Sequence, residues 1–173
     1  MSERILIARP LTREAFAPFG DVLDKRAEAA RPMNSGRALR FPALAEACVA
    51  DTDGRVVIGF VAAQPYAMPL TLRLVERHPL GSQAFMPLNG APFLVVVCPD
   101  EGDRPGRPQA FVTAPGQGVS YHRGTWHGVL TPFGAAQDFL VVDRGGPGAN
   151  LDEHPFEQPW RIHLPDAPPH PRG

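Results

Sequence analysis

The sequence predicts an all-β fold, a sandwich or barrel, and three observations carry that expectation. Its 21 prolines and 17 glycines are spread along all 173 residues, so helix interiors are interrupted almost everywhere. Between those breaks recur short runs rich in valine, leucine, isoleucine and phenylalanine, of the length strands have. Turn sequences such as Pro79-Leu-Gly-Ser82 and Asn89-Gly90 separate the runs. Many short strands joined by turns need a closed or two-layered sheet to bury their apolar faces.

The length fits one domain over residues 1–164, followed by a proline-rich tail, 165–173, that is expected to be disordered. A net charge of −1 gives no electrostatic pull toward nucleic acid or an anionic membrane. The apolar run Phe93–Cys98 is far too short to span a bilayer. The opening Met-Ser-Glu-Arg-Ile-Leu-Ile lacks a signal-peptide core, which points to a cytoplasmic protein. Cys48 and Cys98 lack metal-type spacing and read as buried free thiols in a reducing compartment.

Arg4–Arg9 alternates weakly and reads as a first strand. Thr12 offers an N-cap and Glu14 an acidic first turn, so a short helix should follow and close at Pro18 and Gly20. Lys25–Pro42, with Asn34-Ser-Gly36 and Arg40-Phe41, is polar and irregular: a surface loop, or a loop folded over a pocket. Leu44–Cys48 fits one helical turn and Arg55–Ala62 a buried strand. In Leu70–His78, period-two geometry puts Leu70, Leu72, Leu74, Glu76 and His78 on one face and Arg77 on the other. Such a face would open from a core into a polar cavity. Gln83–Leu88 returns as a strand, and Asn89-Gly90 signals a hairpin to the strand Phe93–Cys98. A charged loop covers Pro99–Pro108. Ala110–Thr113 and Asp138–Arg144 are further strands, and Trp160–Leu164 could add an edge strand.

Chemistry concentrates in Gly116–Leu130. Here His122 and His127 flank a glycine turn at Gly124, with Tyr121 and Arg123 beside them. Side chains on both limbs of such a turn can converge on one spot. With His127, Trp126 should face the opposite way and pack in a core or at a subunit contact.

Two segments resemble the paired signatures of the cupin superfamily, double-stranded β-helix (jelly-roll) barrels that usually bind a metal. His78, Gln83 and Gly90 follow the order of the first signature, with Leu80 standing at its second histidine and Gln83 at its glutamate. Gly116, Gly124 and His127 match the second, with His122 where proline is usual. The reduced ligand set would be His78, Gln83 and His127, and a hydrogen-bonded pocket without metal is the alternative. Longer stretches are similar to the ureidoglycolate lyase family. They are Arg77-His-Pro-Leu-Gly-Ser-Gln-Ala-Phe85, Phe93–Val97, Gln117–His127 and Asp138–Arg144, with Ala15-Phe-x-x-Phe-Gly20 and Asn34-x-Gly36.

That resemblance implies cleavage of (S)-ureidoglycolate to glyoxylate and urea in allantoin breakdown by a cytoplasmic, cupin-like homodimer, with nickel or another divalent ion as cofactor. One or two short helices near the N-terminus complete the expected fold. The substrate carries a hydroxyl and a ureido nitrogen on one carbon beside a carboxylate. Its elimination needs a base, an acid and a cation. His127 and His78 suit the proton transfers near neutral pH, with His122 and Glu76 as further candidates. Arginine grips carboxylates through paired donors, so Arg123 and Arg40 are preferred for binding over Arg77 and Arg144. Asn34, Tyr121 and Gln83 would bond the urea group, and Asp143 could orient a histidine. A metal-dependent cupin of another reaction class, such as a dioxygenase or sugar isomerase, and a small-molecule-binding cupin sensor are the alternatives.

Overall fold

The computed structural model describes residues 3–165, so the tail expected to be disordered lies, from residue 166 onward, outside the described residues. The chain opens with strands β1 (Arg4–Ile7) and β2 (Arg9–Pro10). Thr12 caps helix α1 (Arg13–Phe16), its hydroxyl accepting from the Ala15 N–H at 3.2 Å. After β3 (Gly20–Leu23), the segment expected to be irregular forms a 3-10 turn at Ala27–Ala29 and a hairpin of β4 (Arg31–Met33) and β5 (Ala38–Arg40). The hairpin turns through left-handed Asn34 and Ser35 into Gly36, which the Asn-Ser-Gly sequence tolerates. Leu44–Cys48 is not helical among the described residues, contrary to expectation. It runs extended, held where the Ser82 hydroxyl accepts the Cys48 N–H at 2.7 Å.

The remaining strands are β6 (Arg55–Ala63), β7 (Leu70–Arg77), β8 (Gln83–Pro87), β9 (Phe93–Cys98), β10 (Gln109–Val112), β11 (Gly118–Tyr121), β12 (Trp126–His127), β13 (Thr131–Pro132), β14 (Gln137–Gly145) and β15 (Asp152–His163). One sheet runs β1-β15-β7-β12-β9-β10-β2, with β13 also on β9; its two ends, β1 and β2, are consecutive in the chain, so it curls almost shut. The other runs β3-β11-β8-β14-β6. This is a cupin-like β-barrel architecture.

Strand β9 is buried on both faces and divides two cores. Its odd residues Phe93, Val95 and Val97 join Phe16, Phe85, Phe111, Val119, Tyr121 and Phe139 between the sheets. Its even residues Leu94, Val96 and Cys98 join Leu70, Leu72, Val75, Trp126, Trp160 and Ile162 within the curled sheet. Phe93 and Phe139 meet edge-to-face at 5.1 Å, and truncating such a buried ring costs roughly 3–5 kcal/mol.

Four strand expectations need correction. Leu70 and Leu72 share their core with odd-numbered Val75, so the alternation breaks between Leu72 and Val75. The break lies where β15 shifts register between Pro155 and Trp160. Glu76 therefore does not continue the leucine face. Next, Asn89-Gly90 turns the chain from one sheet to the other rather than closing a hairpin, because β8 and β9 belong to different sheets. Third, β6 is an edge strand, not a buried one: Ile58 and Phe60 are each 73% exposed. Conversely, β15 is long and interior, flanked by β1 and β7, where only an edge strand was expected. Cys98 is buried and Cys48 exposed; both are free.

Candidate active site

Glu76, His78 and His127 each offer a donor atom, and these atoms lie within 4.8 Å of one another. Backbone pairing creates the cluster. Glu76 and His127 face each other across β7 and β12, and the His78 carbonyl accepts the Gly124 N–H at 2.9 Å. Gly124 makes that contact from a positive φ of 76°, at the turn that carries the chain from β11 in one sheet to β12 in the other. The turn predicted at Gly124 is thus a crossing between sheets. It brings Tyr121 from one sheet against His127 from the other, rings stacked at 4.2 Å and 3°.

Both imidazoles have a fixed tautomer. His78 Nδ1 sits 2.7 Å from the Asn150 carbonyl oxygen, and His127 Nδ1 sits 3.0 Å from that of Gly128. A carbonyl only accepts, so each Nδ1 carries the hydrogen and each Nε2 presents a lone pair. His78 Nε2, His127 Nε2 and Gln83 Oε1 are all buried without a hydrogen-bond partner. Burying such an atom unsatisfied costs on the order of 1–3 kcal/mol. Two such nitrogens beside a carboxylate, with a third unpartnered acceptor on Gln83, are an expense that folding alone does not explain, and a bound group would recover it.

The electrostatics agree. Burial, with some help from His78, pushes the His127 imidazole down to about 3, so it is neutral at physiological pH. Burial holds the Glu76 carboxyl above its ordinary range, opposed by the nearby His78. Burial also raises the Tyr121 phenol, which stays protonated and can donate. Two imidazole lone pairs and a carboxylate oxygen fit a first-row divalent ion. Each histidine's other nitrogen donates to a backbone carbonyl, as metal-bound histidines commonly do. The donor set differs from the one the sequence pointed to: Glu76 joins the two histidines, whereas Gln83 lies beside Tyr121 in register on the facing sheet.

Other candidates lie elsewhere. His122 is half exposed and sits 3.4 Å from Asp21. One step beyond Tyr121, it lies outside the cluster. Arg123, also exposed, lines a surface cleft of about 630 Å³ with His122, Arg77 and Trp126. Asn34 and Arg40 are exposed on the β4–β5 hairpin, which makes it a surface element. Arg77 points away from Glu76, as its parity predicted. It bonds Asp152 at 2.8 Å and Asp103 at 3.2 Å and stacks over Trp126 at 4.5 Å. Arg144 is buried in a two-pronged pair with Asp51, at 2.7 and 2.9 Å. The arginine grip expected for a carboxylate is therefore not part of the cluster. Trp126 packs in the core opposite His127, its indole N–H donating to Asp100 at 3.1 Å. A cavity of about 670 Å³ beside Trp160 and Arg107 contains none of the three donors, so size does not mark the site. Neither Asn150 nor Gly128 stands out in the sequence, because both act through backbone carbonyls, which every residue has.

The chain is similar to known proteins over nearly its whole length. A family model described as "Ureidoglycolate lyase" matches residues 3–163. A protein named ureidoglycolate lyase from Chelativorans sp. (strain BNC1) is 59% identical over 163 residues, covering 94% of this chain and 99% of that one. Another of that name from Mesorhizobium japonicum is 58% identical, covering 92% and 98%. Ureidoglycolate lyase 2 of Rhizobium meliloti is 51% identical, covering 89% and 94%. Among solved structures, a dTDP sugar isomerase from Desulfovibrio desulfuricans G20 is similar at 16% identity and a TM-score of 0.44, over 80% of this chain and 83% of that one.

Proposed function

The chain belongs to the ureidoglycolate lyase family, and from that premise we propose that it cleaves (S)-ureidoglycolate to glyoxylate and urea at the Glu76–His78–His127 cluster. The observation that carries this reading is the pair of buried Nε2 lone pairs, without partners, aligned beside a carboxylate. In the reaction the substrate hydroxyl loses its proton, its oxygen becomes the aldehyde of glyoxylate, the carbon–nitrogen bond breaks, and the nitrogen gains a proton as urea leaves. No water is consumed.

In the metal-free protein Glu76 suits the proton's round trip. Its carboxyl, held above the usual range, can accept the hydroxyl proton and return it to the departing nitrogen. His127 resists becoming an imidazolium, so it serves as a lone-pair donor rather than a proton carrier. Glu76, His78 and His127 are the residues that would hold a divalent first-row ion such as nickel, whose chemistry when bound is Lewis acidity toward a substrate oxygen. Gln83 Oε1 can accept from the urea N–H groups, and Tyr121 can donate to its carbonyl.

The active species is read as a cytoplasmic homodimer acting in purine nitrogen breakdown. Two free cysteines fit a reducing compartment, and no helix among the described residues is long and apolar enough to cross a membrane. The outer face of β6, with Val56, Ile58 and Phe60 exposed along an edge strand uncharged from Val56 to Ala63, supports contact with a second copy.

The test is release of urea and glyoxylate from racemic ureidoglycolate, before and after chelation. Activity lost on chelation and restored by nickel or manganese supports the three-residue metal site. Activity that survives complete metal removal leaves the lyase reading intact and makes Glu76 and His78 its acid–base pair, with His127 as a lone-pair acceptor. No product under either condition refutes the assignment.

A further inference from the structure

Asn150 touches the turn after β7 twice. Its backbone carbonyl oxygen receives His78 Nδ1–H at 2.7 Å, and its side-chain Oδ1 receives the Leu80 backbone N–H at 2.8 Å. Residues 78 and 80 are thus gripped by the two oxygens of one residue. Two positions on, Asp152 takes the Arg77 Nε–H at 2.8 Å, and Asp152 and Arg77 are also paired in register across β15 and β7. Three bonds from one short stretch therefore straddle His78. The imidazole itself contributes only one of them.

We propose that Asn150 is a positioning residue for the lyase reaction, its side chain clamping the Leu80 amide so that its own carbonyl fixes the tautomer and aim of His78. The proposal rests on the reading of His78 as an active-site group. The clamp has a chemical purpose: a His78 ring free to rotate or to carry its hydrogen on Nε2 would present a donor where the site needs a lone pair. The requirement falls on the side-chain oxygen, because any residue supplies the carbonyl. Asparagine and aspartate both reach the Leu80 amide, whereas alanine and serine do not.

The experiment uses full-length protein: the His78 ring is read by long-range nitrogen–proton correlation NMR after chelation, and kcat is measured on the enzyme as purified. Wild type and Asn150→Asp are expected to carry the hydrogen on Nδ1, leaving Nε2 bare. Asn150→Ala is expected to mix the two tautomers and to lower kcat by about 10–100-fold with a smaller change in KM. Recovery in Asn150→Asp identifies the oxygen as the cause. Should the alanine variant fail to fold, Asn150→Ser provides the same comparison. An alanine variant with an unchanged tautomer and wild-type kcat overturns the proposal. A shifted tautomer with unchanged kcat also overturns it, and shows in addition that the active-site reading of His78 was at fault.

Discussion

Lowering the pH should destabilise the metal-free protein through His127 in particular. The imidazole is neutral in the fold down to about pH 3, whereas in the unfolded chain it takes a proton near 6.5. Between those values the unfolded state binds more protons, so stability is complete above 6.5 and is lost as pH falls toward 3. A pKa unit is worth a little over 1 kcal/mol, so at pH 4.5 this one side chain removes on the order of 2–3 kcal/mol. That is a large part of the 5–15 kcal/mol that holds a typical domain folded. Glu76 acts in the opposite sense: its raised carboxyl binds a proton more readily in the fold, so its contribution improves as pH drops through that window. The comparison is therefore made in a Glu76→Gln background. Urea unfolding at pH 7.0, 5.5 and 4.5, with and without His127→Asn, isolates the imidazole, because every other carboxylate is common to both proteins. The gap between the two should change by on the order of 2–3 kcal/mol from pH 7.0 to 4.5. A constant gap would refute the claim that His127 is held neutral by burial and, with it, the assignment of its Nε2 lone pair.

Glu76→Gln should lower kcat by about 10²–10⁴-fold, while thermal stability at pH 7 holds or rises because a desolvated charge has been removed. Turnover near wild type would dismiss Glu76 as the base, and a large drop in melting temperature would make its role structural. For the proposed homodimer, Phe60→Glu should shift the protein toward monomer in light scattering, since its ring is 73% exposed on the edge strand and contributes nothing to the monomer's core. An unchanged mass would move the subunit contact off β6.

The strands with strict patterns were legible beforehand. Phe93–Cys98 reads as a strand from its unbroken apolar run, and it is one to the residue. Thr12 announces its helix by the capping chemistry alone. Glu76 shows where that reading fails: simple alternation gives it the leucine face, but the break before Val75 turns it to the other core. Nothing in Leu70–Arg77 marks that break, because its counterpart is the shifted register of β15, far away in sequence. Likewise, Asn89-Gly90 encodes a turn but not the sheet in which the next strand will lie. His78 and His127 stood out by residue type, whereas His122 was indistinguishable from them until the strand geometry turned it toward Asp21. The carbonyls of Asn150 and Gly128 have no sequence signal at all.

The unpartnered nitrogens of His78 and His127 are sealed from solvent as well as from hydrogen bonds. Glu76 and His78 are themselves only partly buried, so a substrate can reach the cluster along them but must displace the packing over the two nitrogens to meet their lone pairs. A local rearrangement after first contact of this kind should make the observed association rate level off as substrate is raised. The same burial keeps bulk water off the two nitrogens while the carbon–nitrogen bond breaks.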